Sequence, residues 1–252
     1  GDLDLSELDE LPPGRQPVKT VALPESRRDE VIERVQASCI SGRQAYWVCT
    51  LVEESEALQA QAAEATAGDL QARLPDLRIG LVHGRLKAQE RAPVMAAFKA
   101  GELDLLVATT VIEVGVDVPK ASLMIIENPE RLGLAQLHQL RGRVGRGAEE
   151  SACVLLYQAP LTRAARERLD ILRRESSGFR IAEADLRMRG AGEVLGTRQA
   201  GSIQFRLADP MRDSALAQAA RRSADELLAH WSGRVEPLIR RWLGQRDDYG
   251  QV

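Results

Sequence analysis

Residues 103–147, LDLLVATTVIEVGVDVPKASLMIIENPERLGLAQLHQLRGRVGRG, decide how the rest of the chain is read. Leu105, Leu106, Val107 and Ala108 form a short apolar run that ends in two threonines, Thr109 and Thr110. After a Gly115-Val116-Asp117 turn comes a second apolar run, Leu123 to Ile126. A helix-patterned segment follows and ends in Gly142-Arg143-Val144-Gly145-Arg146. Short apolar runs followed by small polar residues are how buried parallel strands deliver functional loops at their carboxyl ends. The two arginines, three apart and set among glycines, suit a loop that faces phosphate. Glycine lets the backbone come close, and guanidinium supplies planar donors that cannot lose their charge.

On the amino-terminal side, Val18 to Leu23 predicts a first strand, and Ser26 with Asp29 makes a capping-box-like helix start. Val31, Val35 and Cys39 line one face of that helix until Gly42. Ala45 to Thr50 predicts a buried strand in which Trp47 is read as core. Glu53-Glu54-Ser55-Glu56 opens the next helix with negative charge where the dipole favours it, with a break expected at Gly68 and resumption to Leu74. Ile79 to Val82 is a short strand with His83-Gly84-Arg85 at its carboxyl end. The following helix carries Val94 and Phe98 and stops at Gly101; Pro93 fits only near its first turn or as a kink. A last strand spans Ala152 to Leu156, and from Leu161 an arginine-rich helical pattern takes over, which places a domain boundary near Pro160. Alternation of strand and helix means an α/β fold, a parallel sheet covered by helices.

Composition narrows the class. The chain of 252 residues is 44% hydrophobic and 28% charged, ordinary for a globular protein, and long enough for one large domain with an appendage. No apolar run reaches the ~18 residues that span a bilayer, so no membrane partner is expected. The acidic start (Asp2, Asp4, Glu7, Asp9, Glu10) is the reverse of a basic signal-peptide n-region. Cys39, Cys49 and Cys153 are odd in number and far apart, and His83, His138 and His230 sit in unrelated patterns. They read as residues of a reducing cytoplasm, with no disulfide set and no metal site. Net charge is −3, yet residues 1–130 hold 13 Lys+Arg against 22 Asp+Glu while residues 131–206 hold 14 against 8. The basic excess therefore sits in and after the arginine-rich stretch, where phosphate contacts would be needed.

Gln139-Leu140-Arg141-Gly142-Arg143-Val144-Gly145-Arg146 resembles motif VI (QxxGRxGR) of superfamily-two helicases, and Thr109 through Asp117 resembles their motif V. His83-Gly84-Arg85 matches a position at which such helicases touch the nucleic-acid backbone. Ser177 to Gly201 (SGFRIAEADLRMRGAGEVLGTRQAG) carries a helix seam of Phe179, Ile181, Ala182, Leu186 and Met188, then a glycine-hinged loop with Arg189, Arg198 and Gln199. Taken locally this is a helical hairpin with a flexible connection. It also resembles the TRG motif of the RecG branch-migration helicases and of transcription-repair coupling factor, with Ala200 where serine is expected. Arg187, Arg189, Gly190, Gln199 and Gly201 fall on that motif's polar and hinge positions. The wording of Val111 to Pro119, of Gly196-Thr197-Arg198-Gln199 and of Leu11 to Val18 is closer to RecG, and the resemblance runs from Leu3 to about Trp231.

The resemblance implies a RecA-like second motor lobe at 18–158, preceded by a connection at 1–17 from a first lobe. A TRG-type hairpin and loop would follow at 159–206, and a helical segment at 207–252. It implies an ATP-dependent translocase that remodels branched double-stranded DNA. Arg143 and Arg146 would reach the γ-phosphate, Gly115, Asp117 and Gln139 would help hold nucleotide, and Thr109, Thr110, His83, Gly84 and Arg85 would meet DNA. The TRG residues would couple hydrolysis to movement. The further partners implied are the protein's own amino-terminal wedge and first motor lobe, and a single-stranded DNA-binding protein. Neither a G-x-x-x-x-G-K-[ST] loop nor a D-E-x-[HQ] pair occurs in these residues, so ATP and Mg²⁺ would be held chiefly by the first lobe. A non-catalytic DNA- or partner-binding module, and the same region of transcription-repair coupling factor, are the alternatives. The isolated 252-residue chain is expected not to hydrolyse ATP at an appreciable rate; robust DNA-stimulated turnover by the purified chain would refute this.

Overall fold

The computed structural model describes residues 17–50, 56–110, 118–145, 147, 150–194 and 213–243. Six short strands carry the apolar runs: β1 (Lys19–Pro24), β2 (Gln44–Cys49), β3 (Ile79–Val82), β4 (Leu105–Ala108), β5 (Ala121–Glu127) and β6 (Ala152–Tyr157). All pair in parallel, in the order β1-β6-β5-β2-β4-β3. Every residue of β2 and of β4 is buried, as a parallel strand covered on both faces requires.

Helices α1 (Arg28–Ile40) and α2 (Glu56–Arg73) cover one face. Val31, Ile32, Val35 and Cys39 of α1, with Ala63 and Leu70 of α2 and Leu74 just beyond it, meet Trp47, Leu105, Val107 and Ile125 in one core. The alternate strand positions, Tyr46, Leu106, Met124 and Leu155, are equally buried. Here α3 (Ala88–Ala100) brings Phe98 against Tyr46, ring centroids 5.0 Å apart and tilted by 59°, a geometry worth ~0.5–1.5 kcal/mol beyond area burial. Leu134, Leu137 and Leu140 of α4 (Leu134–Arg141) and Ala165, Leu169 and Leu172 of α5 (Arg163–Arg174) are buried too, with α5 lying along β1. At the amino edge of the sheet, Arg78 clasps Asp104 through Nη2–Oδ1 and Nε–Oδ2 bonds of 2.7 and 3.0 Å. Gln44 Nε2 donates to the carbonyls of Phe98 and Leu103.

Three local expectations change. Helix α2 runs unbroken through Gly68, because the alanine-rich stretch before it and Leu70, Gln71, Ala72 and Arg73 after it carry one glycine at a cost of only ~1 kcal/mol. Pro93 lies past the first turn of α3, inside the helix. The glycine-hinged loop expected from Arg189 does not begin there: α6 (Gly178–Val194) keeps Arg189 to Gly192 helical, and Phe179 of the expected seam is 56% exposed while Ile181 is buried.

The chain divides into a unit through Asp185 and a second from Leu186. In the second unit α7 (Ser214–His230) and α8 (Val235–Leu243) flank a single 3₁₀ turn, where Arg234 stacks over the Trp231 ring at 5.0 Å. No helix among the described residues is long and apolar enough to cross a membrane.

Cys39, Cys49 and Cys153 are all buried and unbridged, and burial pushes each thiol up to about 12. A rise of three units cuts the thiolate fraction at pH 8 by about 10³-fold. Iodoacetamide at pH 8 should therefore leave the folded chain almost unmodified and alkylate all three thiols in urea, as read by mass spectrometry. Rapid native modification of any one would show that its strand or helix is not packed as described.

Candidate functional site

Strand polarity decides which edge each loop meets. At the carboxyl edge, β3 and β4 deliver the residues read as nucleic-acid contacts. Gly84 and Arg85 are exposed and Thr110 is half-buried. His83 is turned inward, 6% exposed, with Nε2 3.4 Å from Glu64 Oε1. Thr109 is 2% exposed; its N–H donates to the Val82 carbonyl, and its hydroxyl has no hydrogen-bond partner among the described residues.

The same edge holds a tie that sequence reasoning missed. Thr50 Oγ1 lies 2.6 Å from the Glu127 carbonyl and 2.8 Å from that of Asn128, and Asn128 Nδ2 donates back to the Thr50 carbonyl at 3.4 Å. Asn128 sits at φ 49°, a left-handed conformation that asparagine tolerates; the Asn128-Pro129 dipeptide was the available turn signal. Beneath it, Arg28 donates to Glu127 at 2.9 Å and to Asp69 at 2.7 Å, with its guanidinium 5.3 Å from the Trp47 ring centroid. The ends of β2 and β5 are thus fixed together and to α1 and α2.

The arginine loop lies elsewhere, beside the start of β5. Helix α4 opens at Gly133, whose N–H donates to Gln136 Oε1, and it buries Leu134, Leu137, Leu140 and Arg141 while leaving Gln139 exposed. After it, Gly142, Arg143 and Val144 each donate their N–H back to a carbonyl of the last turn. Val144 is fully buried and pins the loop from below, Arg143 is half-buried, and Gly145 adopts φ 79°, a conformation that costs a side-chain-bearing residue ~1–2 kcal/mol. Gly147 comes so close to Pro119 that a Cβ there would stand 2.6 Å from the Pro119 carbonyl oxygen. Gly147 therefore packs backbone to backbone on Pro119, just after the motif V stretch.

Arg141 is the second residue that sequence reasoning missed. It stands seven residues after Leu134, on the apolar stripe of α4, and that register was the signal. Arg146, Gly115 and Asp117 lie outside the described residues, as do Gln199 and Gly201. Arg187 is exposed on α6, and Arg189 and Gly190 belong to the same helix. Among the described residues no group of three His, Cys, Asp or Glu side chains comes together in a way that could hold a metal ion.

Two family patterns match the chain: the helicase conserved C-terminal domain over residues 26–148, and domain 3, C-terminal, of the ATP-dependent DNA helicase RecG over residues 175–241. The ATP-dependent DNA helicase RecG of Escherichia coli (strain K12) is 61% identical over 252 residues, all of this chain and 36% of that protein. RecG of Thermotoga maritima is 47% identical over 228 residues, 90% of this chain and 29% of that protein. The chain thus spans about a third of the length of the curated relatives it matches. A solved structure of RecG bound to a three-way DNA junction superposes with a TM-score of 0.62 at 42% identity, covering 82% of this chain and 26% of that one.

Gly147→Ala should overpack the loop against Pro119 and lower stability by ~1–3 kcal/mol, whereas Gly68→Ala, in open space inside α2, should raise it by up to ~1 kcal/mol. Thermal denaturation of the two variants checks this: a Gly147→Ala chain as stable as the parent would mean that the close approach is not formed.

Proposed function

The chain belongs to the RecG helicase family, and we propose that it forms the second motor lobe and coupling segment of an ATP-dependent helicase that remodels branched duplex DNA. The braced arginine loop is the observation that supports this most directly. Val144 buried beneath it, Gly145 in a left-handed turn and Gly147 against Pro119 hold Arg143 in a fixed frame, and catalysis by charge stabilisation needs donors that do not reorganise. In this reading ATP binds between this lobe and a first lobe that supplies the phosphate loop and the Mg²⁺ ligands. Arg143 and Arg146 reach across to the γ-phosphate and stabilise the charge that develops on it. Gln139, exposed on α4, with Gly115 and Asp117, contacts the nucleotide. At the opposite edge of the sheet, Gly84, Arg85 and Thr110 meet DNA phosphates, contacts that position without reading sequence. His83 and Thr109 hold that edge from beneath.

The division into a lobe at 18–158, a TRG-type segment at 159–206 and a helical end at 207–252 is part of the same proposal, as is a cytoplasmic setting. Arg187 and Arg189 on α6, with Gly190, Gln199 and Gly201, would carry lobe movement to the duplex. Identity of 61% to RecG over the whole chain favours RecG over transcription-repair coupling factor.

In a full-length chain carrying these residues, Arg143→Ala and Arg146→Ala should each lower DNA-stimulated ATP hydrolysis by about 10³-fold or more, the scale of an arginine finger. Binding to a forked or three-way junction, read by gel shift, should change little. Retained hydrolysis in both variants would overturn the interlobe reading and favour a non-catalytic DNA-binding module.

A further inference from the structure

On the apolar stripe of α4, two residues before Arg143, stands an arginine with a different job. Arg141 is 6% exposed. Its Nη1 donates to the Leu172 carbonyl at 2.8 Å and to the Glu175 carbonyl at 2.7 Å, and its Nη2 lies 2.9 Å from His138 Nδ1. Leu172 belongs to the last turn of α5 and Glu175 is its C-cap. Carbonyls at a helix end lack intrahelical donors and carry the negative end of the dipole, so a guanidinium fork is a matched partner for them. Arginine only donates, hence His138 Nδ1 accepts and the ring proton rests on Nε2. That nitrogen faces the first residue of α6: a Cβ at Gly178 would stand 3.1 Å from it. The last turn of the motif VI helix therefore holds the α5–α6 junction from two sides.

We propose that Arg141 is a positioning residue which ties the arginine loop to the α5–α6 junction, so that movement of the loop during the nucleotide cycle is delivered to α6. This rests on the motor reading above. The loop is linked to Arg141 by one residue, Gly142, and α6 starts only three residues after the Glu175 carbonyl that Arg141 holds. Lysine would keep the charge but lose the two-carbonyl fork. Methionine would fill the volume and leave both carbonyls unpaired.

The test uses a full-length chain carrying Arg141→Met, Arg141→Lys or Arg143→Ala, with ATP hydrolysis and three-way-junction unwinding measured on the same preparation, and folding followed by circular dichroism. The expected result is a fall in base pairs separated per ATP hydrolysed, roughly fivefold or more for Arg141→Met and smaller for Arg141→Lys, which is within the usual range of coupling energies. If hydrolysis and unwinding decline in equal proportion, or neither changes, Arg141 is only a strut of the core and the proposal is overturned. Should Arg141→Met not fold, the ratio for Arg141→Lys decides in the same way. Loss of hydrolysis in Arg143→Ala with an unchanged ratio in the Arg141 variants removes this inference alone. Full hydrolysis in Arg143→Ala removes the motor reading beneath it.

Discussion

A parallel sheet dry on both faces is the constraint from which the lobe is built. Strands β2 and β4 expose no residue, so helices must lie on each side, and every crossover must return the chain to the same edge before the next strand begins. Two classes of loop result. Those at the carboxyl edge follow strands directly, and Thr50 and Asn128 tie the ends of two of those strands together. Those at the amino edge follow helices, and the arginine loop is one of them. Separation of the arginine loop from the edge that carries Gly84, Arg85 and Thr110 is thus a consequence of strand polarity and needs no special device.

Much of this could be read from residue order. The apolar runs at 45–50, 79–82, 105–108 and 152–156 are short, bounded by turn residues and interleaved with helical stripes, and each became a strand. Spacing alone placed Arg143 and the glycines around it in a loop after a helix. The order of strands was not legible, because β1 and β6 are neighbours in space although nearly the whole lobe separates them in the chain. Nor was the inward turn of His83, since a histidine at a strand end looks the same whether it points to solvent or, as here, toward Glu64. Gly68 misled for a related reason: a glycine signals a break only where the chain needs one, and α2 has uninterrupted partners along Ala63, Leu70 and Leu74.

Arg141 shows how a motif can hide a division of labour. Within Gln139–Arg146 the guanidinium of Arg141 is spent on helix-end carbonyls, while Arg143 emerges from the next turn half-buried and directed by a pinned backbone. A buried arginine bonded in this way is costly to remove, because the Leu172 carbonyl loses its donor in a buried setting. Rigidity at one end of the segment fixes the backbone from which Arg143 projects.

The three sequestered sulfurs carry a practical meaning for anyone wishing to watch such a lobe at work. None offers an accessible nucleophile, so a maleimide dye attached to a cysteine introduced at an outward position such as Glu33 or Arg174 would decorate that site alone, with the wild-type interior left intact. Distance changes between two such reporters could then be followed by fluorescence without first rebuilding the core.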